Sequence, residues 1–209
     1  MKIKYFFQKN PYILRKSVIK SKQGLRGSGR TVFQRGGALL YGIGDLIVYG
    51  SEGVCRVEEI GVPPMTGINK QRRYYTLKPL YREGMVYAPV DTKVFMRPVI
   101  TREDADALID RIPDIEPEVY ENSNLRFLNE YYQAQLQNYN CEGLIKLIRS
   151  THAKREVMIG RGKKLGLVDE RYMKRARDML HGEFAVALGI ERADVPGYIE
   201  AKLGELQPA

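Results

Sequence analysis

The hydrophobic pattern of this chain changes its period near residue 100, and this change constrains the fold more than any other feature of the sequence. Across residues 44–99 the apolar side chains form short extended runs, separated by turns that contain Gly or Pro. Such runs are typical of a small antiparallel barrel. From Thr101 onward the apolar side chains recur every three or four residues, which is typical of amphipathic helices. The sequence therefore predicts an α+β fold of two domains, a small β-barrel of about five strands followed by an all-α helical domain.

The same pattern predicts where the segments of the chain begin and end. At 209 residues the chain is long enough for one or two compact domains. We expect a basic leader (1–39), a barrel of SH3-like size (40–100), a helix and linker (101–123) and a helical domain (124–209). The predicted strands are LIVY, VCRVEEI, RRYYTLKPL, MVYAPV and TKVFMRPV, and Thr101 with Asp104 has the spacing of a helix N-cap.

The leader carries charge of one sign. Residues 1–39 contain ten Lys or Arg and no Asp or Glu, whereas residues 40–209 contain 24 basic and 25 acidic residues. Although this composition is also typical of a mitochondrial transit peptide, we expect an upstream extension of the reading frame or a disordered basic arm. Within the leader, GLRGSGRT at residues 24–31 has the spacing of a phosphate loop, but arginine replaces the lysine and no buried strand precedes it.

Residue types that carry catalysis or bind metals are few. Cys55 and Cys141 are far apart and outside any CxxC motif, which fits a reducing cytoplasm and excludes a disulfide framework or a cysteine-rich zinc site. His152 and His181 each lie in a helical pattern without the spacing of metal ligands. Cys141 lies at a predicted helix start, where the helix dipole can lower the pKa of a thiol, but no His or Asn partner is evident. We expect no enzyme activity, cofactor, metal, small-molecule substrate or membrane span.

A second basic region lies in the helical half. Residues 146–177 contain 11 basic and three acidic residues, whereas residues 40–140 contain 11 basic and 15 acidic residues. A dense basic cluster can neutralise several backbone phosphates and give a salt-dependent affinity. The alternative is the solvated face of an ordinary helical bundle, but the shortage of intervening acidic residues favours nucleic-acid binding. The candidate phosphate-binding residues are Arg149, Lys154, Arg155, Arg161, Lys163, Lys164, Arg171, Lys174 and Arg175.

Several motifs resemble a known family. GDLIVYGSEGV, RRYYTLKPL, MVYAPVD and RPV resemble the RNA-polymerase-interacting domain of the CarD/CdnL transcription regulators, a domain that transcription-repair coupling factors also contain. In the helical half, LNEYYQAQLQNYNCEGLIKLIR and LVDERYMKRARDMLHGEFAVALG resemble the helical end of the same family. The resemblance runs from about residue 40 to residue 203. In the barrel its matching positions are Gly44, Asp45, Val48, Tyr49, Gly53, Val54, Tyr75, Leu77, Pro89 and Val90.

The resemblance implies a bacterial, cytoplasmic, monomeric regulator with a Tudor/SH3-like barrel and a helical domain that contacts promoter DNA. The barrel is then expected to dock on the β lobe of the RNA polymerase β subunit, partly by edge-strand addition. The residues implied in docking are Arg72, Arg73, Tyr75, Tyr87 and Pro89. The helical domain is expected to meet DNA at the upstream edge of the melted bubble and to change the stability of the open complex.

The sequence departs from the family at the DNA wedge. Family members insert a tryptophan into the minor groove, but this chain contains no tryptophan. Leu128 stands at the matching position with Phe127 beside it, and an apolar side chain other than tryptophan can also act as a wedge. The alternative for these two residues, an ordinary core position on an amphipathic helix, fits the sequence at least as well as a wedge. Glu130 and Tyr131 replace the usual basic pair, and Tyr87 replaces a polymerase-contacting arginine of some family members.

Two other classes of function stay open. One is an SH3-like module that binds nucleic acid or the ribosome through the leader, without a polymerase partner. Removing residues 1–39 would then abolish its affinity, whereas a polymerase-docking protein would keep its binding. The other is a small enzyme, which a loss of activity on substitution of Cys141 or His152 would indicate. A transcription-repair coupling factor needs ATPase motor domains, for which the chain has neither the length nor a true phosphate loop.

Overall fold

The structure is a computed structural model that describes residues 34–35, 38–39, 41–137 and 139–205. The predictions for most of the leader, including the phosphate-loop-like stretch at residues 24–31, lie outside the described residues. Near the end of the leader, β1 (Gln34–Arg35) pairs antiparallel with β2 (Ala38–Leu39).

Five further strands form one antiparallel sheet. They are β3 (Leu46–Tyr49), β4 (Gly53–Gly61), β5 (Tyr74–Pro79), β6 (Val86–Pro89) and β7 (Met96–Pro98). Their spatial order is β6-β5-β4-β3-β7, and the long strand β4 lies at the centre. The register of β4 against β5 shifts between Val57 and Glu59, and a bulge of this kind bends and twists a strand. Among the described strands, β6 and β7 are the two edges, because each has a single neighbour.

The Gly-Asp pair just before β3 forms a turn, and the geometry of this turn explains why glycine and aspartate occupy the two positions. Gly44 has a φ of 91°, a conformation that glycine adopts without steric cost. The Asp45 carboxylate accepts a hydrogen bond from the Gly42 amide at 2.7 Å. This turn leads the chain into β3. The barrel core consists of Tyr41, Ile47, Cys55, Val57, Tyr75, Leu77 and Ala88.

Five helices follow the sheet. They are α1 (Arg102–Asp110), α2 (Leu125–Gln137), α3 (Cys141–Gly160), α4 (Leu167–Leu188) and α5 (Val195–Glu205). Thr101 caps α1 as its spacing predicted, because its hydroxyl accepts a hydrogen bond from the Asp104 amide at 3.0 Å. The five helices share one apolar core, to which α4 contributes Tyr172, Ala176, Leu180, Phe184 and Leu188. The predicted α+β fold, an antiparallel five-stranded domain followed by helices, is confirmed.

A buried ion pair joins the sheet to the helices. Arg97 of β7 donates to both carboxylate oxygens of Glu183 on α4, with 2.7 Å between the Arg97 Nη2 and Glu183 Oε2 atoms. Glu183 is only 2% exposed, and its carboxylate also accepts a hydrogen bond from the Ile100 amide at 3.2 Å. A second contact forms after β5, where the Tyr81 hydroxyl donates to the Gly182 carbonyl at 3.1 Å. These contacts fix α4 against the barrel.

Candidate functional site

The outer edge of β6 presents backbone groups that no described strand pairs. β6 pairs with β5 in a register that sets Thr76 opposite Tyr87, and the Val90 amide donates to the Arg73 carbonyl at 3.0 Å. In an antiparallel pair, alternate residues direct their N–H and C=O groups to the neighbouring strand. Val90 and Ala88 therefore face β5, whereas Tyr87 directs its N–H and C=O groups to the open edge. Such an edge can accept a strand from another protein.

The side chains along this edge are apolar at one end and charged at the other. Tyr87 is 40% exposed, and Met85, which precedes β6, is 47% exposed. At the opposite end of the strand pair, Arg72 and Asp91 form an exposed ion pair at 2.6 Å. The hydrogen bond from Arg72 lowers the pKa of Asp91, so the pair persists below the usual range of a carboxyl group.

Four of the five residues implied in docking lie along this edge or beside its charged end. Tyr87 and the partly exposed Pro89 belong to β6, and the exposed Arg72 and Arg73 precede β5. Because β5 and β6 are antiparallel, the start of β5 lies beside the end of β6. The edge therefore brings these residues together on one side of the barrel.

Tyr75, the fifth residue implied in docking, lies inside the barrel. Its side chain is 1% exposed. Its hydroxyl accepts a hydrogen bond from the Tyr41 amide at 3.1 Å, and its ring packs edge-to-face against the Tyr41 ring. A partner contact by the Tyr75 side chain is wrong, since a core side chain cannot reach the surface of another protein. Tyr75 instead supports the sheet whose edge Tyr87 forms.

Part of the predicted basic cluster contacts the connector between α1 and α2. Arg149 of α3 is half-buried and donates to the Ile112 carbonyl, so its guanidinium is directed into the protein. Arg161, just after α3, forms an ion pair with Glu121 at 3.1 Å and stays exposed. The phosphate contact of Arg149 stays a prediction, and one of its guanidinium nitrogens is already engaged by the carbonyl of Ile112, the first residue of the 3-10 turn Ile112–Asp114. Arg161 remains accessible, although an acidic side chain already partly neutralises it.

Lys154 of α3 is buried and also cannot contact DNA. Lys154 is 3% exposed, and its ammonium group lies 2.8 Å from the carboxylate of Asp169, which is itself 3% exposed. The Tyr132 hydroxyl donates to the same carboxylate oxygen at 2.6 Å. Burial, followed by this hydrogen bond, raises the pKa of Tyr132, which keeps the hydroxyl protonated. The predicted phosphate contact of Lys154 is wrong, because the residue forms a buried ion pair that links α3 to α4.

The accessible positive charge lies around the start of α4. Five predicted residues are exposed there, namely Lys163, Lys164, Arg171, Lys174 and Arg175. Within the described ranges, none of these five forms an ion pair. The Arg171 guanidinium donates to the Asn129 side chain at 2.5 Å and lies 5.2 Å from the centre of the Tyr172 ring. Lys174 and Arg175 follow Arg171 by three and four residues, so the three side chains share one helix face. Arg155, further back on α3, is half-buried.

The two wedge candidates lie side by side in the first turn of α2, but one is buried and the other is exposed. Leu128 is 4% exposed and belongs to the helical core, together with Tyr132 and Leu136 at helical spacing. Leu128 is therefore not a wedge, and this prediction is wrong because the residue faces the core. Phe127 is 52% exposed, and Leu125, which was not one of the wedge candidates, is 62% exposed. Phe127 lies off the spacing of the core residues, which identifies it as a surface residue, whereas Leu125 shares the spacing of Leu128 but is exposed at the first residue of α2.

Neither cysteine has the surroundings of a reactive thiol. Cys141 begins α3, but burial raises the pKa of its thiol well above the ordinary value. The Glu183 carboxylate lies 3.2 Å from the Cys141 sulfur, and its negative charge further opposes a thiolate. Burial also raises the pKa of Cys55 to about 12. The influence of the helix dipole on Cys141 is therefore outweighed by desolvation.

The described residues contain no arrangement for a metal ion. No group of three His, Cys, Asp or Glu side chains in these ranges is placed to hold one. His152 and His181 lie on α3 and α4, and burial lowers the pKa of both, to about 4 for His181. Both imidazoles are therefore neutral near pH 7. None of the described helices combines the length and the apolar character that crossing a membrane requires.

Comparison with protein families identifies the barrel. Residues 41–100 match the family model of the CarD-like/TRCF RID domain. The match spans β3 to β7, so it includes the whole five-stranded sheet and the open edge of β6. It covers less than a third of the 209 residues and stops just before α1. No curated protein matches the chain. The chain therefore carries a CarD-like RNA-polymerase-interacting domain, to which a helical domain is joined.

Proposed function

We propose that this protein is a transcription regulator that docks on RNA polymerase and contacts promoter DNA. The observation that carries the proposal is the match of residues 41–100 to the CarD-like/TRCF RID domain. The complex shifts the equilibrium between closed and open promoter. A contribution of about 1.4 kcal/mol changes that equilibrium tenfold, so a few contacts suffice.

The docking surface is the open edge of β6, and its partner is the β lobe of the polymerase β subunit. A strand of the lobe pairs with the backbone groups of Tyr87, and the exposed Tyr87 and Met85 side chains pack against it. The charged pair Arg72–Asp91 lies at the end of the edge, where it fixes the register of the added strand.

The DNA contact is formed by the exposed face of α4 and the first turn of α2. Arg171, Lys174 and Arg175 neutralise backbone phosphates, together with Lys163 and Lys164 in the preceding turn. Phe127 supplies the apolar wedge at the upstream edge of the bubble. The exposure of Phe127 and the charges on α4 support this arrangement.

The protein acts without catalysis, as a monomer in the bacterial cytoplasm. The raised pKa of Cys141 and Cys55 supports the absence of a thiol nucleophile. One copy of the chain binds one polymerase, because one open edge accepts one added strand.

The docking claim is tested by comparing Tyr87→Ala with Tyr87→Pro in the full chain. Both variants remove the phenol ring of Tyr87, but only the proline also removes the backbone N–H that faces the open edge. That N–H donates no hydrogen bond to β5, so its loss leaves the pairing of β5 and β6 intact. We expect Tyr87→Ala to weaken binding to an isolated β-lobe fragment and Tyr87→Pro to weaken it at least tenfold more. Fluorescence anisotropy of a labelled fragment measures this, and equal affinities of the two variants would contradict strand addition. Circular dichroism checks that both variants fold.

A nucleic-acid-binding module without a polymerase partner is the second candidate. Arg171, Lys174 and Arg175 favour it, because they are exposed, form no ion pair within the described part of the chain, and can bind phosphates whether or not the barrel docks. DNA binding by a folded chain that does not bind the β-lobe fragment would select this function over the first.

A further inference from the structure

A cleft of about 590 Å³ lies between the barrel and α4, beside the contacts that join them. One wall consists of the turn between β3 and β4 and the loop after β5, which contribute Glu52 and Arg82. The other wall is the face of α4 that carries Arg171, Lys174 and Arg175. The cleft therefore adjoins the accessible positive charge of the helical domain, and six of its thirteen lining residues belong to the barrel.

The carboxylates of the cleft are already neutralised within it. Arg82 forms an ion pair with Glu52 at 2.9 Å, across the barrel wall. Arg192, which follows α4, forms an ion pair with Asp178. Five basic and two acidic side chains line the cleft, and the two pairs leave three cations on α4 without a carboxylate partner among the described residues. The cleft therefore carries an excess of three positive charges.

The distance between the two walls is fixed by packing. The Arg192 guanidinium carbon lies over the Tyr81 ring, 5.1 Å from the ring centre. The Tyr81 hydroxyl donates a hydrogen bond to the Gly182 carbonyl at 3.1 Å. The two walls pack tightly at Gly182, because a Cβ atom there would lie 3.0 Å from the Tyr81 ring and would require that ring to shift. The floor of the cleft is therefore preorganised, and a ligand does not have to bring the walls together.

We propose that the cleft binds the phosphate backbone of one DNA strand, with Arg82 of the barrel as a contact in addition to the cations of α4. This inference rests on the proposed DNA contact and extends it to the barrel. Four residues of helix span about 6 Å, so the cations from Arg171 to Arg175 can meet about two successive phosphates of a strand. The Arg82 side chain, 62% exposed, reaches the same strand from the opposite wall.

The test compares Arg82→Gln with Arg111→Gln in the full chain. Both residues are exposed arginines in a surface ion pair, and Arg111 pairs with Glu142, outside the cleft. Binding of a labelled duplex of about 30 base pairs is measured by anisotropy at several salt concentrations, with Lys174→Gln as the reference for a phosphate contact on α4. We expect Arg82→Gln and Lys174→Gln each to weaken binding and to lower the salt slope by about 0.9, and Arg111→Gln to leave the slope unchanged.

The outcomes separate this inference from the proposed function. If Lys174→Gln weakens binding and Arg82→Gln does not, the DNA contact stands but the cleft is not its path, and the inference is overturned. If the unaltered chain binds no duplex, the DNA contact and the inference both fail, while binding to the β-lobe fragment tests docking separately. Arg82→Gln also leaves the negative charge of Glu52 without its partner, and that charge could itself repel DNA. The double variant Glu52→Gln with Arg82→Gln removes this charge, and its DNA binding must still be weakened if Arg82 itself contacts a phosphate.

Discussion

At the scale of single residues, two lysines of the basic region have opposite roles. Lys154 is 3% exposed and pairs with Asp169, whereas Lys163 is exposed in the turn before α4. A buried charge is stable only with its partner, and removal of one member leaves the other uncompensated. An exposed lysine adds little to stability but can release a counterion from DNA when it binds a phosphate.

This contrast gives a prediction for a matched pair of substitutions. Lys154→Met should lower the free energy of unfolding by about 3–5 kcal/mol and leave the salt slope of DNA binding unchanged. Lys163→Met should change the free energy of unfolding by less than about 0.5 kcal/mol and lower the salt slope. Urea denaturation measures the free energy of unfolding, and salt-dependent anisotropy measures the salt slope. Both are carried out at a temperature at which the Lys154→Met variant is folded. A Lys154→Met variant of normal stability with weakened DNA binding would contradict the structural role of this residue.

At the scale of elements, the docking of β7 against α4 depends on the pair Arg97–Glu183. Arg97→Met leaves the buried Glu183 without a cation, so we expect the free energy of unfolding to fall by about 3–5 kcal/mol. Arg97→Lys keeps the charge but not the two-pronged contact, so its effect should be smaller. Hydrogen exchange of the Ile100 amide, which donates to Glu183, should accelerate in the methionine variant. Unchanged exchange at Ile100 would show that the pair does not hold these elements together.

Elements of this protein were predictable from the sequence where their determinants are local. The turn at Gly44 and the cap at Thr101 both depend on residues within three positions, and the cap was predicted from the spacing of Thr101 and Asp104. The basic cluster was less predictable, because charge counted along the chain does not reveal partners in space. Arg161 is 40 residues from Glu121, and Lys154 is 15 residues from Asp169. Long-range pairing therefore removed part of the predicted surface.

The direction of side chains within an element was predictable only in part. Tyr75 and Tyr87 both lie in strands that resemble the docking domain, but one is 1% and the other 40% exposed. Alternation divides the side chains of a strand between two faces, and the sequence alone did not say which of these tyrosines faces the core. On α2 the helical period does favour Leu128 over Phe127 for the core, once Tyr132 and Leu136 are taken as its neighbours.

At the scale of the whole molecule, the barrel edge and the face of α4 belong to one connected body. Arg97–Glu183 and Tyr81–Gly182 fix α4 on the barrel, so in the proposed complex the position of the barrel also sets the position of α4. Under the proposed function, a rigid connection of this kind lets docking supply the orientation that a weak DNA contact requires. The effect on promoter melting should therefore depend on both surfaces and be lost when either one is disabled.

The most direct test measures the fraction of open promoter formed by purified bacterial RNA polymerase as the full chain is added. A fluorescent base analogue within the melted region reports this fraction. We predict a saturable change with the unaltered chain, a smaller change with Phe127→Ala and no change with Tyr87→Pro. An open fraction that stays constant at a concentration where the chain saturates the polymerase, or an equal change with Tyr87→Pro, would contradict the proposed function.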